Sequence, residues 1–258
     1  MTEAEWLNST DPQAMLAFLR DSGKLSERKA RLFAVACCRR VWPYLTDRWS
    51  QKVVQVSERY ADRVSRLGQL DRAWRRADGA AQEIHLSGGG DVDQNPSQAV
   101  VCLGVELHVA EAAELAADTF GAVARGDSYD RIWQTPGKDH DARWAEDDAV
   151  RQAATTEEEC VQAALLRDIF GPLLFRPLPP ISPTIRKWND GIIPKLTTAI
   201  YEERSLPEGT LDSLRLGVLA DALEEAGVND PDILGHWRQQ GAVHVRGCWV
   251  VDLLTGRE

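Results

Sequence analysis

A run of apolar residues with helical spacing places the strongest constraint on the fold. From Trp49 to Leu67 the apolar positions follow at steps of 4, 3, 4, 4 and 3 residues, and from Leu70 to Ile84 at steps of 4, 3, 4 and 3. Such steps place the side chains on one face of an α-helix. The two segments therefore predict two amphipathic helices, separated near Gly68.

Most other segments also carry helix signals. Asp11-Pro12 is typical of a helix start, with Asp as the N-cap and Pro in the first turn. We expect further helices at residues 11–20, 26–42, 97–123, 146–170, 194–203 and 210–226, and from residue 231. No run alternates long enough to build a sheet, although residues 243–254 fit either a short strand or a last helical turn. The predicted fold class is all-α.

Proline and glycine divide the chain. Residues 171–183 contain five prolines, which fix the backbone and remove amide donors, so we expect an extended connector there. This connector separates a helical bundle, residues 1–170, from a small helical C-terminal part, residues 184–258, that packs on it. Within the bundle we expect a glycine-rich loop at 87–96 and an exposed polar excursion at 126–141.

The net charge of −10 hides an asymmetry. Residues 1–80 carry a net +5, whereas the remainder carries −15, so the bundle is basic up to about residue 80 and acidic after it. We expect the basic part to dock on the acidic part of the same chain. The alternative is that Arg-rich helices in 28–76 bind nucleic acid. The candidate contact residues are Arg39, Arg40, Arg63, Arg66, Arg75 and Arg76.

Cysteine and histidine supply the candidate metal ligands. The residue types suit zinc, but adjacent cysteines on a helix point about 100° apart and no Cys-x-x-Cys occurs. We therefore expect reduced cysteines, no bound metal and no other cofactor. The candidate ligands, held as an alternative, are Cys37, Cys38, His236, His244 and Cys248.

Several sequence blocks resemble an expanded planctomycete family of proteins without an assigned activity. They include the opening TEAEWL with Asp11-Pro12, RLFAVACCRRVW from Arg31, LRDIFG from Leu166, LADALEEAG from Leu219 and HVRGCW from His244. The resemblance covers nearly the whole chain. It implies a planctomycete-like bacterial origin and implies no particular chemistry.

No nucleophile–base pattern identifies catalytic residues. Nine of the 18 aromatic residues are Trp, which we interpret as packing anchors. The acidic first residues lack the features of a signal peptide, and no segment is apolar enough to span a membrane. We expect a cytoplasmic, non-enzymatic protein-binding or adaptor module. The alternatives are a nucleic-acid-binding module and a metal-dependent enzyme with a Cys/His site.

Overall fold

A computed structural model describes residues 1–177, 181–239 and 241–257. These residues form an all-α protein, and the only β pairing among them is two isolated bridges, Ser205 with Thr210 and Thr210 with Val245. The α-helices are α1 Glu3–Asn8, α2 Pro12–Asp21, α3 Glu27–Arg40, α4 Arg48–Ala61, α5 Leu67–Leu86, α6 Asp91–Val101, α7 Val109–Trp133, α8 His140–Phe170, α9 Pro183–Glu202, α10 Ser213–Glu225, α11 Pro231–Arg238 and α12 Trp249–Thr255.

Helix starts follow the local sequence rules. Asp11 accepts hydrogen bonds from the backbone amides of residues 13 and 14, and Pro12 occupies the first helical position, as the sequence predicts. Asp230 and Pro231 begin α11 in the same way. These side chains satisfy backbone donors that a helix leaves free at its N-terminus, so they fix where each helix begins.

Three apolar clusters form the core. Two lie in the bundle, and α3 contributes to both because its opposite faces are buried. The third consists of residues from 181 to 254, contributed by α9 to α12 and the segments between them. The C-terminal helices thus have an apolar core of their own and contact the bundle through α8 and α12.

A buried ionic cluster joins the C-terminal part to the bundle. Arg28 of α3 donates to Asp252 of α12 at 2.6 Å and to Asp62 at 3.0 Å. The Tyr201 hydroxyl of α9 donates to the Asp62 carboxylate at 2.8 Å, and Arg246 pairs with the same carboxylate. Charges from distant parts of the sequence therefore meet in one place, as expected for a basic segment that docks within its own chain.

The helix predicted at 97–123 is two helices, because the chain turns away from α6 at Cys102 and resumes at α7. The carbonyl oxygens of Leu103 and Gly104 in this break accept hydrogen bonds from the fully buried guanidinium of Arg31, at 3.0 and 2.9 Å. A buried cation needs such acceptors. A continuous helix would hold the two carbonyls in its own hydrogen bonds.

The other irregular segments are shorter than the sequence suggests. The loop predicted at 87–96 spans only residues 87–90, since α6 begins at Asp91. The excursion predicted at 126–141 is mostly helix, and only residues 134–139 join α7 to α8. Within the predicted connector, residues 171–174 form a 3-10 turn and Pro183 begins α9, while residues 178–180 lie outside the described chain.

Candidate metal centre

Four side chains with metal-ligating atoms converge where the C-terminal part meets the bundle. They are Asp168, His236, His244 and Cys248, and their ligand atoms all lie within 4.8 Å of one another. Asp168 lies in the last turn of α8 and His236 in the last turn of α11. His244 lies in the segment after α11, and Cys248 is the N-cap residue of α12. The cluster therefore draws on separate elements of the fold.

One carboxylate oxygen lies at the centre of the cluster. Oδ1 of Asp168 is 3.0 Å from Nε2 of His236 and 2.7 Å from Nδ1 of His244. The same Nε2 of His236 is 3.3 Å from Sγ of Cys248. In a tetrahedral zinc site with bonds of about 2.0–2.3 Å, the ligand atoms are separated by about 3.3–3.8 Å. A small outward movement of these side chains would therefore make room for an ion between them.

The charges of the cluster suit a divalent cation. Burial alone would raise the pKa of Asp168, but hydrogen bonds from the two imidazoles outweigh it and hold that pKa far below its usual range. Burial and the Asp168 charge raise the pKa of the Cys248 thiol well above its usual value. A metal ion reverses this effect, because it stabilises the thiolate directly. One carboxylate, one thiolate and two neutral imidazoles would neutralise a divalent cation.

Backbone groups orient two of the four candidate ligands. The backbone amide of Val245 donates to the second oxygen of Asp168 at 2.9 Å, and the carbonyl of His244 accepts from the amide of Leu211 at 2.8 Å. The indole N–H of Trp237 is buried and has no hydrogen-bond partner among the described residues. Such outer contacts orient ligands and tune metal sites.

Gly171 allows α12 to approach the end of α8. Its φ of +56° lies where side chains are disfavoured, and a Cβ atom there would overlap the ring of Trp249. Trp249 also packs against His236, with the ring centroids 5.3 Å apart. The glycine after Phe170 thus brings Asp168 close to the start of α12, where Cys248 lies.

A cleft of about 580 Å³ opens beside the cluster. Its lining includes Asp168, His236 and His244, together with Arg167 and Arg176. Cys248 is fully buried and His236 is 14% exposed, so the imidazole edge of His236 is the most accessible part of the cluster. Any molecule in the cleft would meet the histidine side of the cluster rather than its sulfur.

Three of the five candidate metal ligands come together, and two do not. Cys37 lies in one apolar cluster of the bundle, and Cys38 lies in the other, where its thiol faces the carbonyl of Ala99 at 3.5 Å. Adjacent positions on α3 point into different parts of the core. Burial raises the pKa of both thiols well above the usual value. The two cysteines therefore act as small buried apolar groups.

Asp168 is the member of the cluster that sequence reasoning missed. It lies 68 residues before His236, and no metal-ligand spacing connects the two. One sequence signal could have identified it. Asp168 lies between the apolar residues Leu166 and Ile169 at a buried helix end, and a carboxylate buried there needs a partner.

The six candidate nucleic-acid contacts separate into two groups. Arg39 is buried and pairs with Glu58 at 2.9 Å, and Arg40 forms a two-pronged pair with Glu158 at 2.5 and 2.6 Å. These two side chains hold the fold together and are not available to a ligand. The exposed candidates are Arg63, Arg66, Arg75 and Arg76. Of these six arginines, Arg40 pairs with the acidic part of the chain, as expected if the basic part docks on it, whereas the partner of Arg39, Glu58, lies within residues 1–80.

No helix in the described part of the chain combines the length and apolar character needed to cross a membrane. Comparison with protein-family models, with curated proteins and with solved structures finds no match to this chain. The resemblance to the planctomycete family therefore stays a prediction, and the candidate function rests on the geometry of the site.

Proposed function

We propose that this protein is a zinc-binding module in which one ion joins the C-terminal part to the helical bundle. The observation that carries the proposal is the convergence of Asp168 Oδ1, His236 Nε2, His244 Nδ1 and Cys248 Sγ within 4.8 Å. Thiolate, imidazole and carboxylate are the ligand types of zinc, and four protein ligands are typical of a structural site.

The position of the cluster suits a structural role. Asp168 belongs to the bundle, whereas His236, His244 and Cys248 belong to the C-terminal part. An ion bound to all four would stabilise the docked arrangement, because it binds the folded protein in preference to the unfolded chain. This role departs from the expectation, drawn from the sequence, that no metal is bound. It is compatible with a non-enzymatic protein, since four protein ligands leave no coordination position for a substrate.

Zinc binding has a defined proton balance. The buried thiol of Cys248 is protonated without metal, because its pKa is raised. Coordination requires the thiolate, so binding transfers the Cys248 proton to solvent while the two histidines bind as neutral imidazoles. Zinc affinity should therefore increase with pH.

The test uses untagged full-length protein, because a histidine tag would itself bind metal. Elemental analysis should give about one zinc per chain, the stoichiometry of a single four-ligand site. Cobalt substituted for zinc should show a thiolate-to-metal charge-transfer band that Cys248→Ser removes. His244→Ala should reduce metal content strongly. The matched controls Cys102→Ser and His85→Ala should leave metal content and spectrum unchanged, because neither residue belongs to the cluster.

The result that contradicts the proposal is folded wild-type protein that binds neither zinc nor cobalt. The four side chains would then form a hydrogen-bonded cluster without metal, centred on Asp168. Loss of metal from the control variants to the same extent as from Cys248→Ser would also count against this site.

A metal-dependent enzyme is the second candidate, favoured by the cleft that opens onto His236 and His244. Catalytic zinc sites keep one position open for water or substrate. Azide added to the cobalt protein separates the two candidates. A shift of the cobalt absorption bands would indicate an open position and favour catalysis, whereas unchanged bands would favour the structural site.

A further inference from the structure

The outer face of α4 and α5 is strongly basic. Arg48, Lys52 and Arg59 lie within about 40° of one another around the axis of α4, at about 100° per residue. All three are exposed, whereas Val53 and Ser57 are buried on the opposite side of the same helix. The repeating positive charge therefore lies on the solvent side.

The neighbouring helix continues this face. Arg72 and Arg76 are one turn apart on α5 and exposed, while Ala77 and Ala81 face the core. Because α4 and α5 pack together and are joined only by residues 62–66, they run antiparallel. We name the combined surface the α4–α5 basic face. It consists of Arg48, Lys52, Arg59, Arg72 and Arg76 on the two helices, and the exposed Arg63 and Arg66 lie in the segment that joins them.

Two arginines from the two helices share one aromatic ring. The guanidinium of Arg48 lies 4.5 Å from the ring centre of Trp49, and that of Arg76 lies 4.3 Å from it. Cation–π contacts of this kind hold both guanidinium groups in place. Two like charges held this close favour an anion that can bind both.

One exposed acidic residue, Glu83, lies on the same side of α5 as Arg72 and Arg76, and it forms no ion pair with them. The other acidic residues near this face are paired elsewhere. Glu58 turns inward to Arg39 and Arg204, and the Asp62 carboxylate after α4 turns inward to Arg28. Asp71 pairs with the adjacent Arg75. Within the described residues, no carboxylate forms an ion pair with a side chain of the α4–α5 basic face.

We propose that the α4–α5 basic face binds the phosphate backbone of nucleic acid. A concentrated positive surface on a chain with a net charge of −10 is complementary to a polyanion. Arg48 and Arg59 are eleven residues apart, a span of about 16 Å along the helix, which corresponds to about five nucleotides of one duplex strand. Guanidinium groups match phosphate geometry, and phosphate contacts read no base sequence.

The proposal does not depend on zinc, because none of its residues belongs to the candidate metal centre. The test measures fluorescence anisotropy of a labelled DNA duplex of mixed sequence and of the matching single strand, titrated with nuclease-treated protein. The variant combines Lys52→Glu, Arg59→Glu and Arg72→Glu. The matched control combines Arg20→Glu, Lys187→Glu and Lys195→Glu, which makes the same charge change at exposed positions elsewhere. Circular dichroism checks that both variants remain helical.

About four phosphate contacts would give micromolar binding at 50 mM salt that weakens about 100-fold at 200 mM salt. The variant should bind at least ten times more weakly at low salt and show a much shallower salt dependence, whereas the control should keep most of the affinity and slope. An equal loss of DNA affinity in the variant and in the control would overturn the proposal. A wild-type dissociation constant weaker than about 10⁻⁴ M at low salt would also overturn it. Labelled polyglutamate bound as tightly as DNA would also overturn it, in favour of an acidic protein partner.

Discussion

His244 and Asp168 are 76 residues apart in sequence, yet Nδ1 of the imidazole donates to Oδ1 of the carboxylate at 2.7 Å. Both side chains are almost completely buried. A buried carboxylate is costly unless its oxygens are satisfied. Without metal, Asp168 accepts from both histidines of the cluster and from the amide of Val245, so it connects the bundle to the C-terminal part. In the proposed zinc-bound state the ion would replace the two histidine hydrogen bonds, because the same nitrogen atoms would bind it.

Asp168→Asn should destabilise the metal-free protein by about 1.5–3 kcal/mol, because it removes the charged acceptor of buried hydrogen bonds from the two imidazoles and the Val245 amide. The amide keeps the shape of the carboxylate but cannot accept from both imidazoles as an anion does. Urea denaturation in the presence of a chelator measures the free energy of unfolding. The control Asp148→Asn lies at an exposed position and should change that free energy by less than about 0.5 kcal/mol. Similar small changes in the free energy of unfolding for both variants would show that the contacts of Asp168 do not stabilise the fold.

Much of the architecture could be predicted from local sequence. Helical spacing and the Asp-Pro starts predict α2, α4, α5 and α11, because these signals act within one or two turns. The break after Cys102 could not be predicted, because it serves the buried guanidinium of Arg31, which lies more than 70 residues away. Three of the four residues of the candidate metal centre could be predicted from the sequence, and the fourth could not. His236, His244 and Cys248 are close in sequence, whereas Asp168 joins them only through tertiary packing.

Arg39→Met should lower the free energy of unfolding by about 1–3 kcal/mol, because it removes one of the two buried cations that pair with Glu58 and leaves Arg204 as the other. Thermal and urea denaturation measure the effect. The exposed Arg20→Met serves as the control and should stay within about 0.5 kcal/mol of wild type. A stable Arg39→Met protein with weakened DNA binding would show instead that Arg39 belongs to a ligand surface.

Gly171→Ala should cost about 3 kcal/mol or more, since backbone strain and overpacking each cost about 1–3 kcal/mol. The added methyl group would overlap Trp249 and push α12, which carries Cys248 at its start, away from α8. Gly88→Ala is the control, because Gly88 also has a positive φ but faces open space, so only the backbone strain applies. Equal stability losses for the two variants would indicate that α12 does not pack tightly at Gly171.

The pH dependence of the free energy of unfolding should show that the pKa of the buried Glu158 is raised. Burial raises the pKa of its carboxyl group, and the Arg40 pair only partly offsets this effect. Because its pKa is raised, the Glu158 carboxyl group binds a proton more tightly in the folded protein than in the unfolded chain. The stabilisation that results is fully present below the unfolded pKa of about 4.3, and it is lost as the pH rises through the folded pKa. Wild type should therefore gain stability relative to Glu158→Gln as the pH falls from 7 towards 4. A difference in unfolding free energy that stays constant over this range would show that the pKa of Glu158 is not raised.

X-ray absorption at the zinc edge is the sharpest test of the proposed zinc site, because it reports the atoms bound to the ion. We expect one sulfur at about 2.3 Å and three nitrogen or oxygen atoms at about 2.0–2.2 Å in zinc-loaded wild-type protein. The sulfur contribution should disappear in Cys248→Ser. A zinc ion surrounded only by oxygen and nitrogen in the wild-type protein, or a sulfur signal that persists in Cys248→Ser, would contradict the assignment of the site.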